Sequence, residues 1–147
     1  MAGYNFRMCD INAELGVTQM KKLDFMNEQR RIHASYLTKS LNEIEGIIPP
    51  VEAEHCLHVY QMYTIKVERV DRSKFIHMLR ECGVGASVHF DPPIHLQAAY
   101  KGQGGELPVT EKVARSIVTL PMYPDLTHKQ LDYIIENVEK CAKACRE

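Results

Sequence analysis

The amino-acid sequence predicts an α+β fold: a long N-terminal helix followed by a small three-stranded sheet covered by helices. Three features point to it. Apolar residues recur at helical spacing over residues 10–41, with no Pro to interrupt them. Residues 58–68 form a run rich in β-branched and aromatic side chains. Residues 127–145 open on a capping signature and carry one continuous apolar stripe. Short strands alternating with helices suit a single sheet layer with helical cover.

The first helix is predicted to start with Asp10 as its cap. Its apolar positions are Ile11, Leu15, Met20, Leu23, Met26, Leu37, Leu41 and Ile44. It spans roughly thirty residues, well beyond an average globular helix. A small domain cannot bury that length, so the first half needs a second surface to pack against. Gly46 and Pro49-Pro50 end the segment. In residues 58–68, Val59, Tyr63, Ile65 and Val67 share one strand face. Asp71 caps a second helix, in which Phe75, Met78, Leu79 and Cys82 form the apolar face and Gly83 the stop. Residues 86–90 read as a short strand broken by Asp91-Pro92-Pro93. Residues 96–107, with Gly102, Gly104 and Gly105, read as a helical turn plus a flexible loop. Thr110 caps a short helix through about Ser116, and residues 117–120 form the third strand, ended by Pro121 and Pro124. Thr127 and Gln130 make a capping box for the last helix. Its stripe is Leu131, Ile134, Ile135, Val138, Cys141, Ala142 and Cys145. Two regions follow: residues 1–45, the long helix, and residues 46–147, the small α+β domain.

Composition narrows the function classes. Of 147 residues, 45% are hydrophobic and 25% charged, as in an ordinary globular protein. The formal net charge of −1 gives no electrostatic footprint for nucleic acid. No apolar run approaches the ~20 residues of a membrane span, and no signal-peptide pattern opens the chain. A cytoplasmic protein is expected. The five cysteines, with no CxxC pair, read as reduced thiols. Cys141 and Cys145, four apart on a helix, read as core residues. The spacing of His89 and His95 fits no zinc pattern. Gly102-Gln103-Gly104-Gly105 lacks the Lys-Ser/Thr ending of a P-loop and reads as a loop. The His55-Cys56 and His58 cluster reads as ordinary polar residues near a strand edge. Tyr60, Tyr63 and Tyr133 read as core or surface aromatics.

Four ordered segments carry a resemblance. Gly3-Tyr4-Asn5-Phe6-Arg7-Met8, followed by Asp10-Ile11-Asn12-Ala13-Glu14-Leu15-Gly16 and Gln19-Met20-Lys21-Lys22-Leu23, resembles the stretch that opens the long interdomain helix of the DegT/StrS-type aminotransferases. Val88-His89-Phe90 with Pro93, then His95-Leu96-Gln97 and Tyr100, is similar to the segment of that family in which a histidine-bearing loop follows a strand. Gly105-Glu106-Leu107-Pro108-Val109-Thr110-Glu111-Lys112 resembles its next helix start. Thr119-Leu120-Pro121-Met122-Tyr123-Pro124-Asp125-Leu126-Thr127 resembles one of its most recognisable elements. The similarity runs over nearly the whole chain.

The resemblance implies the fold-type I aminotransferase architecture, a dimer, and pyridoxal phosphate (PLP) at the subunit interface. It implies that the Schiff-base lysine, the acid at the pyridine nitrogen and most phosphate contacts belong to a large N-terminal domain. Asn5 would reach across the dimer to the cofactor phosphate, with Arg7 near the same interface or the substrate. His89 and His95 are both candidates for the histidine at the sugar-nucleotide entrance, and the choice between them stays open. In the family the Gly-Tyr-Asn stretch follows the PLP lysine, whereas here it begins at residue 3. None of the ten lysines sits in the family's lysine context. The chain is therefore expected to match the C-terminal part of such an enzyme, to bind no PLP alone, and to be catalytically incomplete. In the complete enzyme glutamate would commonly donate the amino group and a nucleotide-linked keto-sugar would receive it, for polysaccharide or glycan precursors. The other reading is a non-catalytic interaction or oligomerisation module from a truncated or split gene. It would pair with itself through the first helix or with a separate N-terminal PLP-domain polypeptide.

Overall fold

A computed structural model describes residues 7–100 and 104–146 of the chain. Four α-helices, three strands and two short 3-10 turns follow in order: α1 (Asp10–Leu41), β1 (Ile47–Ile48), β2 (Tyr63–Val67), α2 (Arg72–Glu81), the turns Ile94–Leu96 and Ala98–Tyr100, α3 (Pro108–Ser116), β3 (Ile117–Leu120) and α4 (His128–Ala144). The predicted long helix, small three-stranded sheet and helical cover are all present.

Helix α1 has 32 residues, and its buried residues are His33, Ala34, Leu37 and Leu41. Only its last third joins the core. Ile11, Leu15, Met20 and Phe25, at 75%, 59%, 64% and 64% exposure, stand in solvent. The cap differs from expectation: Cys9 occupies the N-cap without a side-chain bond, and Asp10 lies in the first turn. There its charge still favours the positive end of the helix dipole.

The sheet is antiparallel in the order β1-β2-β3. Strand alternation sends Tyr63, Ile65 and Val67 to one face, where they are buried. Helices α1, α2 and α4 supply the rest of that core through Leu37, Leu41, Phe75, Leu79, Leu131, Val138 and Cys141, all fully buried. Burial pushes the Tyr63 phenol up to about 12, and its hydroxyl pairs with Thr38 Oγ1 at 2.8 Å. Burial likewise raises the Cys141 thiol to about 11. A thiol so raised is a poor nucleophile, in line with the core reading.

Three elements differ from the sequence expectation. Residues 58–62 are not strand: Tyr60 has φ of 48°, a left-handed conformation that breaks an extended run. Residues 86–90 make one isolated bridge, Ser87 to Thr119, and Phe90, at φ of 62°, turns the chain away. The third strand is instead β1, whose Ile47 and Ile48 pair with Val67 and Lys66. Gly46 permits this, because it holds φ of 83° and a Cβ there would lie 2.8 Å from the Glu68 carbonyl oxygen.

Helix starts follow local chemistry. The Asp71 carboxylate accepts from the Lys74 amide at 3.1 Å. Thr127 and Gln130 form the full capping box. Helix α3 begins one turn earlier than its expected Thr110 cap, because Pro108 occupies the first helical position, where a missing N–H costs nothing.

Candidate functional site

Antiparallel register places Thr64 opposite Thr119, with their side chains on the sheet face away from the main core. The two hydroxyl oxygens lie 3.0 Å apart. Helix α3 and the segment after Ala86 cover this face, and between them opens a cleft of about 700 Å³. His89, Phe90, Ile94, His95, Leu107 and Val113 contribute to its wall. The lining is largely apolar with two imidazoles, the usual composition of a small-molecule site.

The two histidines are held differently. His89 is half-buried, and its Nδ1 lies 3.1 Å from Thr119 Oγ1 and 3.5 Å from Ser87 Oγ. One ring nitrogen is thus engaged by the sheet. His95 sits deeper, with a side chain 9% exposed. Its Nε2 meets Glu111 Oε1 at 3.2 Å. Glu111 also accepts from Arg115 at 3.1 Å, one helical turn on. Gly104 packs against the base of the His95 side chain, and a Cβ there would stand 3.0 Å from His95 Cβ. The His95 contact ties the 3-10 segment to α3.

A second tie anchors the loop after His89. Arg72 Nη2 pairs with Asp91 Oδ2 at 2.8 Å, and Arg72 Nη1 donates to the Ala114 carbonyl in the last turn of α3. One guanidinium thereby joins α2, α3 and the loop, a use of its fork that lysine could not copy. Sequence reasoning missed Arg72, Glu111 and Thr119. The only available signal was Glu111, four residues before Arg115 at helical spacing.

The cleft brings His89 and His95 into one wall. Arg7 is exposed ahead of α1 and is not part of it. From the start of α1 at Asp10, about 35 Å of helix axis lead to the first buried residue, His33, at 1.5 Å per residue. Asn5 lies outside the described residues. Among those residues no group of three or more His, Cys, Asp or Glu side chains is arranged to hold a metal ion. His55 and Cys56 are exposed, while His58 stacks on Tyr60 at 4.2 Å between ring centroids.

A third constellation lies where α1 meets the loop before β2. Arg31 grips both oxygens of Glu52, at 2.7 and 3.2 Å, and donates to the His58 carbonyl at 2.7 Å. The Arg31 hydrogen bond holds the Glu52 carboxyl below the usual glutamate range. This clasp fixes the left-handed turn at Tyr60.

Protonation gives a direct test of the α3 tie. The His95 hydrogen bond, before any other cause, holds Glu111 below the ordinary 4.5. A carboxylate depressed in the fold contributes stability that is full above its unfolded value and is lost as pH falls through the folded one. The 3-10 segment is therefore expected to loosen from α3 below about pH 4.5. NMR shifts of the Ile94–Leu96 amides should report this, and Glu111→Gln should remove the acid-dependent part. An acid profile identical in the variant would refute the assignment.

Comparison with known proteins agrees with this architecture. The DegT/DnrJ/EryC1/StrS aminotransferase family matches residues 1–139. The spore coat polysaccharide biosynthesis protein SpsC of Bacillus subtilis is 31% identical over 96% of this chain and 38% of its own length. The crystal structure of S. venezuelae DesV in complex with a ketimine intermediate superimposes with a TM-score of 0.89 at 29% identity, over 97% of this chain and 39% of that one. The PLP form of Spr1654 from Streptococcus pneumoniae, a putative sugar aminotransferase, gives a TM-score of 0.86 at 25% identity, over 94% of this chain and 36% of that one. The chain spans 37–38% of the length of the curated relatives it matches, a share consistent with the C-terminal part of such an enzyme. No helix among the described residues is long and apolar enough to cross a membrane. By the match over nearly its whole length, this chain belongs to the DegT/DnrJ/EryC1/StrS aminotransferase family.

Proposed function

We propose that this chain forms the long-helix and small-domain part of a cytoplasmic, PLP-dependent aminotransferase that acts on a nucleotide-linked keto-sugar for polysaccharide or glycan precursor synthesis. The observation that carries the reading is the family match over residues 1–139, together with a cleft that gathers both candidate histidines. In this reading residues 1–45 link to the large domain and residues 46–147 build one wall of the substrate site. Asn5 and Arg7 reach the cofactor phosphate region, where an amide N–H and a guanidinium both suit an anion.

Among the described residues no lysine lines the cleft, so none of them offers an amine there to form or release an imine. PLP, where held by the larger domain, supplies the electron sink for amino transfer. This chain's own contribution is positional. The apolar wall of the cleft excludes water from one side of the bound sugar, and the histidines offer nitrogen to its oxygens.

The exposed apolar half of α1 favours a second, non-catalytic reading, a module that pairs with itself or with a separate PLP-domain polypeptide. One experiment separates the two. The chain is mixed with PLP, alone and with a lysine-bearing large domain from a relative, then scanned for internal-aldimine absorbance and reduced with borohydride. The catalytic reading expects no fixed adduct on this chain alone. It expects glutamate-dependent amination of a UDP-linked keto-sugar in the complemented mixture. No amination in a mixture shown to form a complex would favour the second reading. A borohydride-fixed adduct at one lysine of this chain would refute the claim that the reactive amine lies elsewhere.

A further inference from the structure

We infer that Thr119 is a positioning residue for His89: a hydroxyl relay from Thr64 through Thr119 holds Nδ1 as an acceptor and leaves the proton on Nε2, where it serves an oxygen of a sugar or phosphate in the cleft. The inference rests on the proposed substrate class for its ligand, but the relay itself stands on this chain's geometry.

The backbone of Thr119 is already fully engaged. Its N–H donates to the Ser87 carbonyl at 2.8 Å and its carbonyl accepts from the Ser87 amide at 3.1 Å. Its hydroxyl therefore has no backbone duty on that strand. Two partners remain within reach, Thr64 Oγ1 at 3.0 Å and His89 Nδ1 at 3.1 Å. Thr119 is only 7% exposed, so water cannot readily replace either of them. A threonine hydroxyl has one proton and two lone pairs, and a neutral imidazole has one donor and one acceptor nitrogen. One arrangement uses both hydroxyl protons between described partners: Thr64 donates to Thr119, and Thr119 donates to His89 Nδ1. The reverse arrangement, with Nδ1 protonated, leaves the Thr64 proton without a described acceptor. Ser87 Oγ lies 3.5 Å from the same nitrogen, and the single lone pair of Nδ1 goes to the shorter Thr119 contact.

The relay distinguishes the two histidines. His95 spends Nε2 on Glu111. His89 spends Nδ1 on the sheet, and among the described residues its Nε2 has no partner, while its ring lines the cleft. A strand-mounted threonine is a rigid support, whereas the loop carrying His89 turns at Phe90 with φ of 62°. Without the hydroxyl, the ring loses the contact that sets both its rotation and its tautomer.

The test reads the imidazole directly. Long-range ¹⁵N–¹H spectra of the chain are recorded for wild type, Thr119→Val and Thr119→Ser. In wild type, His89 is expected to show unprotonated Nδ1 and protonated Nε2 as a single tautomer, with ring contacts to Thr119. Thr119→Val, nearly equal in shape, is expected to give averaged nitrogen shifts and to lose those contacts. Thr119→Ser restores the hydroxyl and the wild-type pattern. Core methyl dispersion checks that the variants fold, and if the valine variant does not, Thr64→Val removes the first link instead. Protonated Nδ1 in wild type would overturn the inference. So would a His89 spectrum indifferent to loss of the hydroxyl in a folded variant. Neither result bears on the aldimine experiment, so the relay and the proposed enzyme class fail separately.

Discussion

Phe75→Ala is expected to destabilise the chain by about 4 kcal/mol, the middle of the range for emptying a buried phenylalanine site. Phe75 is fully buried on α2, within the same core as Leu37, Leu79 and Val138. Whole-domain stabilities are about 5–15 kcal/mol, so this loss takes a large share of the total. Phe25→Ala supplies the control. Phe25 is 64% exposed on the free half of α1, and its truncation should stay within about 0.5 kcal/mol for the monomeric chain. Urea titration of both variants at low protein concentration decides the matter. The expected result is a lower midpoint at an unchanged slope for Phe75→Ala and none for Phe25→Ala. Equal shifts in the two variants would mean that the core is not where the fold places it.

The contrast also explains how much of the architecture could be read from residues alone. Helix α4 was legible because its signals are local: Thr127 and Gln130 are three apart, and its stripe repeats on one face. Helix α2 was legible for the same reason, from the Asp71 cap to the Phe75 and Leu79 face. Residues 58–62 have the composition of a strand, yet the Arg31–Glu52 clasp and the His58 carbonyl fix a left-handed turn there. Tertiary contact overrode propensity, as it often does in short strand-like runs. Strand β1 went unread because two isoleucines before a Pro pair carry no periodicity. Only their pairing with Val67 and Lys66 defines them.

The site shows the same division. His89 and His95 were nominated through a resemblance to a family segment, and the fold sets both in one wall. Their partners were invisible because Thr119 is 30 residues from His89 and Glu111 is 16 from His95. Such pairs are made by strand register and helix docking, not by spacing along the chain. Arg72 and Asp91, 19 apart, belong to the same class. The sequence thus indicates which chemistry is present, and the packing determines which nitrogen is left to use it.

Loss of self-association is expected when Leu15 and Phe25 are both replaced by Glu. At 3.6 residues per turn, Ile11, Leu15, Phe25 and Ile32 fall within about 100° of one another, and all four are exposed. Met20, nine residues beyond Ile11, lies about half a turn away, and it too is exposed. A helix apolar on more than one side calls for more than one covering surface. A second copy of α1 laid along the Ile11–Ile32 stripe would cover one side, and a larger domain the other. Each side chain so buried contributes about 1.5–3 kcal/mol. In a two-fold pair the two substitutions act twice, which amounts to roughly 6 kcal/mol and weakens association at least a thousandfold. Light scattering at about 100 µM, well above the ~1 µM that corresponds to about −8 kcal/mol of binding, should show the wild-type chain as a dimer or larger and the double variant as a monomer. Because neither residue touches the core, circular dichroism should report the folded small domain in both. A wild-type chain that is monomeric at that concentration would refute pairing through this stripe, and would leave the larger domain as the surface that α1 requires.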